Sequence, residues 1–155
     1  MTADVWLAGE RPNWSGPALL DTHVWIWHLQ GETRGMSGEA SELVRRCVRE
    51  DGVWVSDISV WEVGMQASRG RLELMPSVSA WVESASRRPG FSFMLLDRQV
   101  LLGSTQLPGD PHGDPADRML IASAAISGRP LFTADERIIE YARRQGGFSV
   151  CDVRS

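Results

Sequence analysis

Four acidic residues lie far apart in the chain but at equivalent places in its pattern of elements. Asp21 ends the apolar run Ala18-Leu19-Leu20, and Glu62 lies in the first helical turn expected after Val53-Trp54-Val55. Asp117 follows the helix start Asp114-Pro115-Ala116, and Asp135 comes just after Pro130-Leu131-Phe132-Thr133. Ligands of open α/β sheets bind outside the carboxyl ends of the strands, so these four carboxylates are aimed at one edge. At ~4 Å separation each like-charge pair costs on the order of 4 kcal/mol at an effective dielectric of ~20. Such a cluster calls for a cation, and an all-oxygen donor set suits Mg²⁺ or Mn²⁺. Zinc is disfavoured, because His23 and His28 stand roughly 140° apart on a helix and His112 is remote in the sequence. The chemistry that follows is hydrolysis of a phosphodiester. No Ser/His/Asp order, nucleophilic Cys, Walker loop or G-x-G-x-x-G offers another route.

Each acid also has an ordinary structural use. Asp21 can cap the first helix, Glu62 completes a capping box with Ser59, Asp117 complements a helix dipole beside an Asp114 cap, and Asp135 falls inside a Thr133–Glu136 box. The arrangement as a whole asks for more than capping. Asp117 shares the inward helical face of Leu120, Ile121 and Ala124, and a cap has no reason to face the core.

The elements that must position these residues alternate. Residues 1–17, with two prolines, two glycines and no sustained periodicity, read as an N-terminal extension outside the regular fold. The remainder, 18–155, reads as one domain. Strands are predicted at 18–20, 53–55, 91–96, 130–133 and 148–151. Helices follow at about 22–30, 37–50, 59–68, 76–87, 97–106, 114–127 and 136–145, with Pro115 at a first helical position and Gly31, Gly70, Gly128 and Gly146 as stops. Strands alternating with helices predict right-handed crossovers and a three-layer α/β/α domain with a mainly parallel sheet of about five strands.

Composition narrows the function. The 155 residues carry 16 basic side chains, all arginine, against 20 acidic ones, a formal charge of −4. That balance excludes a broad basic surface for DNA, so nucleic-acid contact must be local. The apolar runs are far shorter than the ~18–20 residues that a membrane span needs, and the first ten residues lack a signal-peptide pattern. A soluble, cytoplasmic protein is expected, with Cys47 and Cys151 as buried free thiols.

The blocks Leu19-Leu20-Asp21-Thr22-His23-Val24-Trp25, Ile58-Ser59-Val60-Trp61-Glu62-Val63, His112-Gly113-Asp114-Pro115-Ala116-Asp117-Arg118-Met119-Leu120-Ile121-Ala122 and Leu131-Phe132-Thr133-Ala134-Asp135-Glu136-Arg137 resemble, in order and spacing, those of PIN-domain ribonucleases. The likeness is to the VapC-like toxins of type II toxin–antitoxin systems and covers about residues 18–153. It implies endonucleolytic cleavage of RNA by an acidic quartet holding Mg²⁺ or Mn²⁺. By the same resemblance Asp21 and Asp117 are the most direct ligands, Glu62 positions the water, and Asp135 supports them or holds a second ion. It further implies a homodimer and a small cognate antitoxin whose C-terminal segment covers the acidic groove. Residues 1–17 depart from the pattern, in which the strand-end Asp lies close to the N-terminus. Ala116 is smaller than the usual residue of its block.

Arg69, Arg71, Arg87, Arg88 and Arg118 are candidate contacts to RNA phosphates, each also readable as a solvated surface charge. Trp25, Trp27, Trp61 and Trp81 read as core or dimer-interface residues in preference to base-stacking platforms. Two rivals stand beside the endoribonuclease. One is a phosphatase with Asp21 as nucleophile, against which D-x-D is D-T-H here and no lysine is available. The other is a catalytically silent RNA- or antitoxin-binding module, against which all four acids are present.

Overall fold

In the computed structural model, which describes residues 4–32, 34–111 and 113–154, strands and helices alternate along almost the whole chain. Strand β1 (Asp4–Leu7) and a short 3₁₀ turn lead to β2 (Ala18–Leu20), α1 (Thr22–Gln30) and α2 (Gly38–Glu50). Next come β3 (Val53–Ser56), α3 (Asp57–Ser68), α4 (Val78–Ser86), β4 (Phe91–Met94) and α5 (Arg98–Thr105). The chain closes with α6 (Pro115–Ser127), β5 (Leu131–Thr133), α7 (Glu136–Gln145) and β6 (Ser149–Asp152). The six strands form one sheet in the order β1-β6-β5-β2-β3-β4, with every pairing parallel.

Because side chains alternate across a strand, neighbours feed different cores. Leu19, Leu131 and Val150 pack with α6 and α7 on one face. Leu20, Phe132, Cys151, Val53 and Val55 pack with α1 and α2 on the other. Helices thus cover both faces, the three-layer α/β/α arrangement expected of a parallel sheet. The chain leaves β2 toward β3 and β4 on one side, while β5, β6 and β1 lie on the other. The strand order therefore switches between β2 and β5, the place where such sheets open a crevice.

Three expectations are corrected. The sheet has six strands where about five were expected, because residues 4–7 are not outside the regular fold. They form β1, which pairs with β6 from Asp4↔Ser149 to Leu7↔Asp152. Trp6 is 2% exposed and meets Phe132 edge-on with ring centroids 5.8 Å apart; Trp14 lies 5.6 Å from both rings. The Pro and Gly residues that break periodicity after position 8 hide a four-residue strand too short to show a pattern of its own. Second, α3 begins a turn earlier than the Ser59 box predicts. Ser56, the last residue of β3, is its N-cap and accepts the Ile58 amide at 3.1 Å. Third, Asp135 is itself the N-cap of α7, accepting the amides of Arg137 at 2.8 Å and Ile138 at 3.3 Å. His112 lies outside the described residues. Among those described, no helix is long and apolar enough to cross a membrane, and Cys47 and Cys151 are buried free thiols.

Candidate active site

Asp21 stands where β2 ends and α1 begins, at the switch point. Its own amide donates to the Phe132 carbonyl at 3.0 Å, which ties it to β5. Its Oδ1 accepts the Thr22 amide at 2.7 Å and its Oδ2 accepts the Thr133 hydroxyl at 2.6 Å. The residue is 6% exposed. Burial raises its pKa, against the opposing pull of the Thr133 hydroxyl, the His23 charge and the Thr22 amide.

Glu62 is in the second turn of α3 rather than the first, because that helix starts at Asp57. The shift turns Ser59 away from its own helix end and toward α1. The Ser59 and Thr22 hydroxyls are 2.7 Å apart, and Thr22 donates to Glu62 Oε1 at 2.5 Å. Thr22 has one proton, so the chain runs from Ser59 to Thr22 to Glu62. All three positions belong to buried or half-buried residues. Burial, partly offset by the Thr22 hydrogen bond and reinforced by the charges of Asp21, Asp114 and Asp135, pushes the Glu62 carboxyl up to about 7.

Asp117 lies in the first turn of α6, whose N-cap Asp114 accepts the Ala116 amide at 2.9 Å and the Asp117 amide at 3.2 Å. Burial is the main cause that pushes Asp117 up to about 8, followed by the charges of Asp21, Asp114, Asp135 and Glu62. Asp135 completes the group from the start of α7; its amide donates to the Thr133 hydroxyl at 3.0 Å. Thr133 thus links Asp21 and Asp135 through one side chain.

All four acids line a single open cavity of about 710 Å³, shared with Asp114 and His23. Arg69 and Arg71 also line it, as do Ile58, Trp61, Met65 and Leu96. Arg118 is not among its described lining residues; its charge acts on the Tyr141 phenol. Arg87 pairs with Glu83 at 2.6 Å on α4. Of the tryptophans, Trp25 is fully buried, and Trp27 and Trp81 pack against the core. Of the expected core or dimer-interface positions, the core one does not hold for Trp61, which is 57% exposed.

Among the described residues, no three carboxyl, imidazole or thiol groups are drawn tightly enough together to enclose an ion. The donor set nevertheless fits a hard divalent cation, because it consists of carboxylates whose charges raise one another's pKa values. Thr22 and Thr133, which fix Glu62 and Asp21, had no functional reading in the sequence. Their partners lie 40 and 112 residues away, and the one local sign was that each stands beside, or two residues from, an acid.

The PIN domain family model matches residues 18–144. Ribonuclease VapC22 of Mycobacterium tuberculosis (strain ATCC 25618 / H37Rv) is 30% identical over 120 residues, which span 77% of this chain and 88% of that protein. The fold is similar to the structure of VapBC2 from Rickettsia felis bound to a DNA fragment from its promoter, with a TM-score of 0.61 at 11% identity over 86% of this chain and 96% of that one. It is similar also to VapBC-1 from nontypeable Haemophilus influenzae, with a TM-score of 0.61 at 17% identity over 88% and 97% of the two chains.

Proposed function

The chain belongs to the PIN-domain family, and from that premise we propose that it is an Mg²⁺- or Mn²⁺-dependent endoribonuclease acting as the toxin of a toxin–antitoxin pair. The observation that carries the reading is the meeting of Asp21, Glu62, Asp117 and Asp135 in one cavity, with Glu62 and Asp117 raised by burial and by their neighbours' charges. Carboxylates repel RNA unless their charge is neutralised. Asp21 and Asp117 would hold the ion, with Asp135 in support. When bound, such an ion supplies the positive charge that admits a phosphodiester and polarises its phosphoryl group.

The chain's own groups do the rest. Glu62, with a carboxyl near neutrality, accepts a proton from the attacking water. Thr22 holds Glu62 in place, its hydroxyl accepting in turn a hydrogen bond from Ser59. Arg69 and Arg71 on the same wall take neighbouring phosphates. Structures of similar fold are toxin–antitoxin complexes, and the cavity is the surface that a small antitoxin would close. A homodimer is part of the same reading.

Asp21→Asn and Asp117→Asn provide the test. Asn caps a helix about as well as Asp but withdraws the charge that a cation needs. Each variant is expected to fold, to lose Mn²⁺-dependent cleavage of RNA, and to lose the rise in melting temperature that Mn²⁺ gives the parent protein. Full activity in both variants would overturn the site.

A further inference from the structure

The wall of the cavity contributed by α3 has two stripes. Glu62, Gln66 and Arg69, at steps of four and three, form a polar one. Ile58, Trp61 and Met65, at steps of three and four, form an apolar one beside it. Of the apolar stripe, Ile58 is accounted for by packing: it is 8% exposed and belongs to the core between the sheet, α6 and α7. Trp61 is different. The other six tryptophans are either buried in the core or packed against it. Trp61 belongs to neither core, and over half of it faces solvent at the mouth of the cavity. Among the described residues no aromatic ring or guanidinium stacks on it. A large apolar ring left open beside the Glu62 carboxylate keeps in water apolar surface that stacking would bury.

Resting on the endoribonuclease reading, we infer that Trp61 is the stacking platform for one unpaired base next to the scissile phosphate, and so a specificity-determining residue for single-stranded RNA. Trp61 and Glu62 line the same cavity, so a base on the ring lies in the site whose phosphate Glu62 serves. Arg69 and Arg71, further along the same wall, have the charge for the next phosphates of that strand. The cavity volume of about 710 Å³ is of the size that takes a small-molecule ligand such as a nucleotide. A base inside a duplex has both faces covered and could not reach the ring. Stacking is tolerant of base identity, so Trp61 selects for an unpaired base and not for a particular one.

Steady-state cleavage of a mixed-sequence single-stranded oligoribonucleotide in Mn²⁺ tests this, with the cut bond mapped and an abasic nucleotide then placed at each flanking position in turn. Trp61→Ala is expected to raise KM about 10-fold with kcat nearly unchanged, the size of effect an aromatic stacking partner carries. Trp61→Phe should restore most of the loss, and both variants should melt with the parent protein because the ring is exposed. At one flanking position the abasic substitution should cost the parent as much as Trp61→Ala does, and cost Trp61→Ala nothing further. Effects that multiply at every position, or unchanged RNA kinetics with lost binding of an antitoxin, would overturn stacking while leaving the nuclease intact. Absence of cleavage by the parent protein itself would instead overturn the endoribonuclease reading, and stacking with it.

Discussion

In the proposed site a proton and a metal ion would compete for the same oxygens, and the competition has a definite sign. Glu62 and Asp117 hold their protons more tightly in the folded chain than free carboxyls do, up to about 7 and about 8. Their contribution to metal-free stability is therefore intact below the ordinary carboxylate range, ~4, and is lost as pH rises through those folded values. Without divalent ions, the melting temperature should fall as pH climbs from about 5 to about 8, and the rise given by Mn²⁺ should grow over the same interval. Thermal melts in EDTA and in Mn²⁺ across that range check both, and a Mn²⁺ effect largest at the acid end would contradict them. Thr22 allows a finer test. Its hydroxyl lowers the Glu62 pKa and fixes Oε1 at 2.5 Å. Thr22→Val should slow cleavage on the order of 10-fold through misplacement of Glu62 and move the acid limb of the rate profile to higher pH. Thr22→Ser should restore both, an outcome that a purely structural role for the methyl group would not give.

At the scale of elements, β1 shows how far the site depends on remote parts of the fold. It covers the edge of β6, and its Trp6 backs Phe132, whose carbonyl receives the Asp21 amide. Arg46 on α2 adds to this by donating to the carbonyls of Pro12 at 2.8 Å and Trp14 at 2.6 Å. Trp6→Ala should cost about 3–5 kcal/mol, as for other buried aromatic truncations, and removing residues 1–17 should cost at least as much. Denaturant unfolding measures both; a truncated chain as stable as the whole would mean that β1 is an ornament. The remaining elements were legible because their signals are local: Ser37 caps α2 by accepting the Ala40 amide at 3.0 Å, and Asp114-Pro115 opens α6. The same locality explains the failures. Ser59 and Glu62 have capping-box spacing, but both spend their side chains on Thr22, a partner fixed by how α1 and α3 meet. The four acids could be placed at one sheet edge from strand order alone, whereas the hydroxyls that orient them, and the exposure of Trp61, depend on packing between elements distant in sequence.

For the molecule as a whole, the two thiols report on folding and on the cavity together. Cys47 on α2 and Cys151 on β6 are both 0% exposed and belong to the same core. Burial pushes the Cys47 thiol up to about 11 and raises that of Cys151 as well, so neither is a reactive thiolate near neutrality. A thiol reagent must wait for the core to open. Anything that binds only the folded chain lowers the open population by the factor 1 + [L]/Kd. The cavity acids span β2, α3, α6 and α7, elements that draw on both cores, so an ion held there opposes opening on both faces of the sheet. At about pH 8, labelling in EDTA should be slow and should accelerate with denaturant. Mn²⁺ at ~100 times its Kd should slow it about 100-fold, and in Asp117→Asn by little. Labelling of Cys47 that ignores Mn²⁺ while that of Cys151 responds would show that α2 opens apart from β6 within their shared core, and that the carboxylate cavity does not bind that core into one cooperative unit.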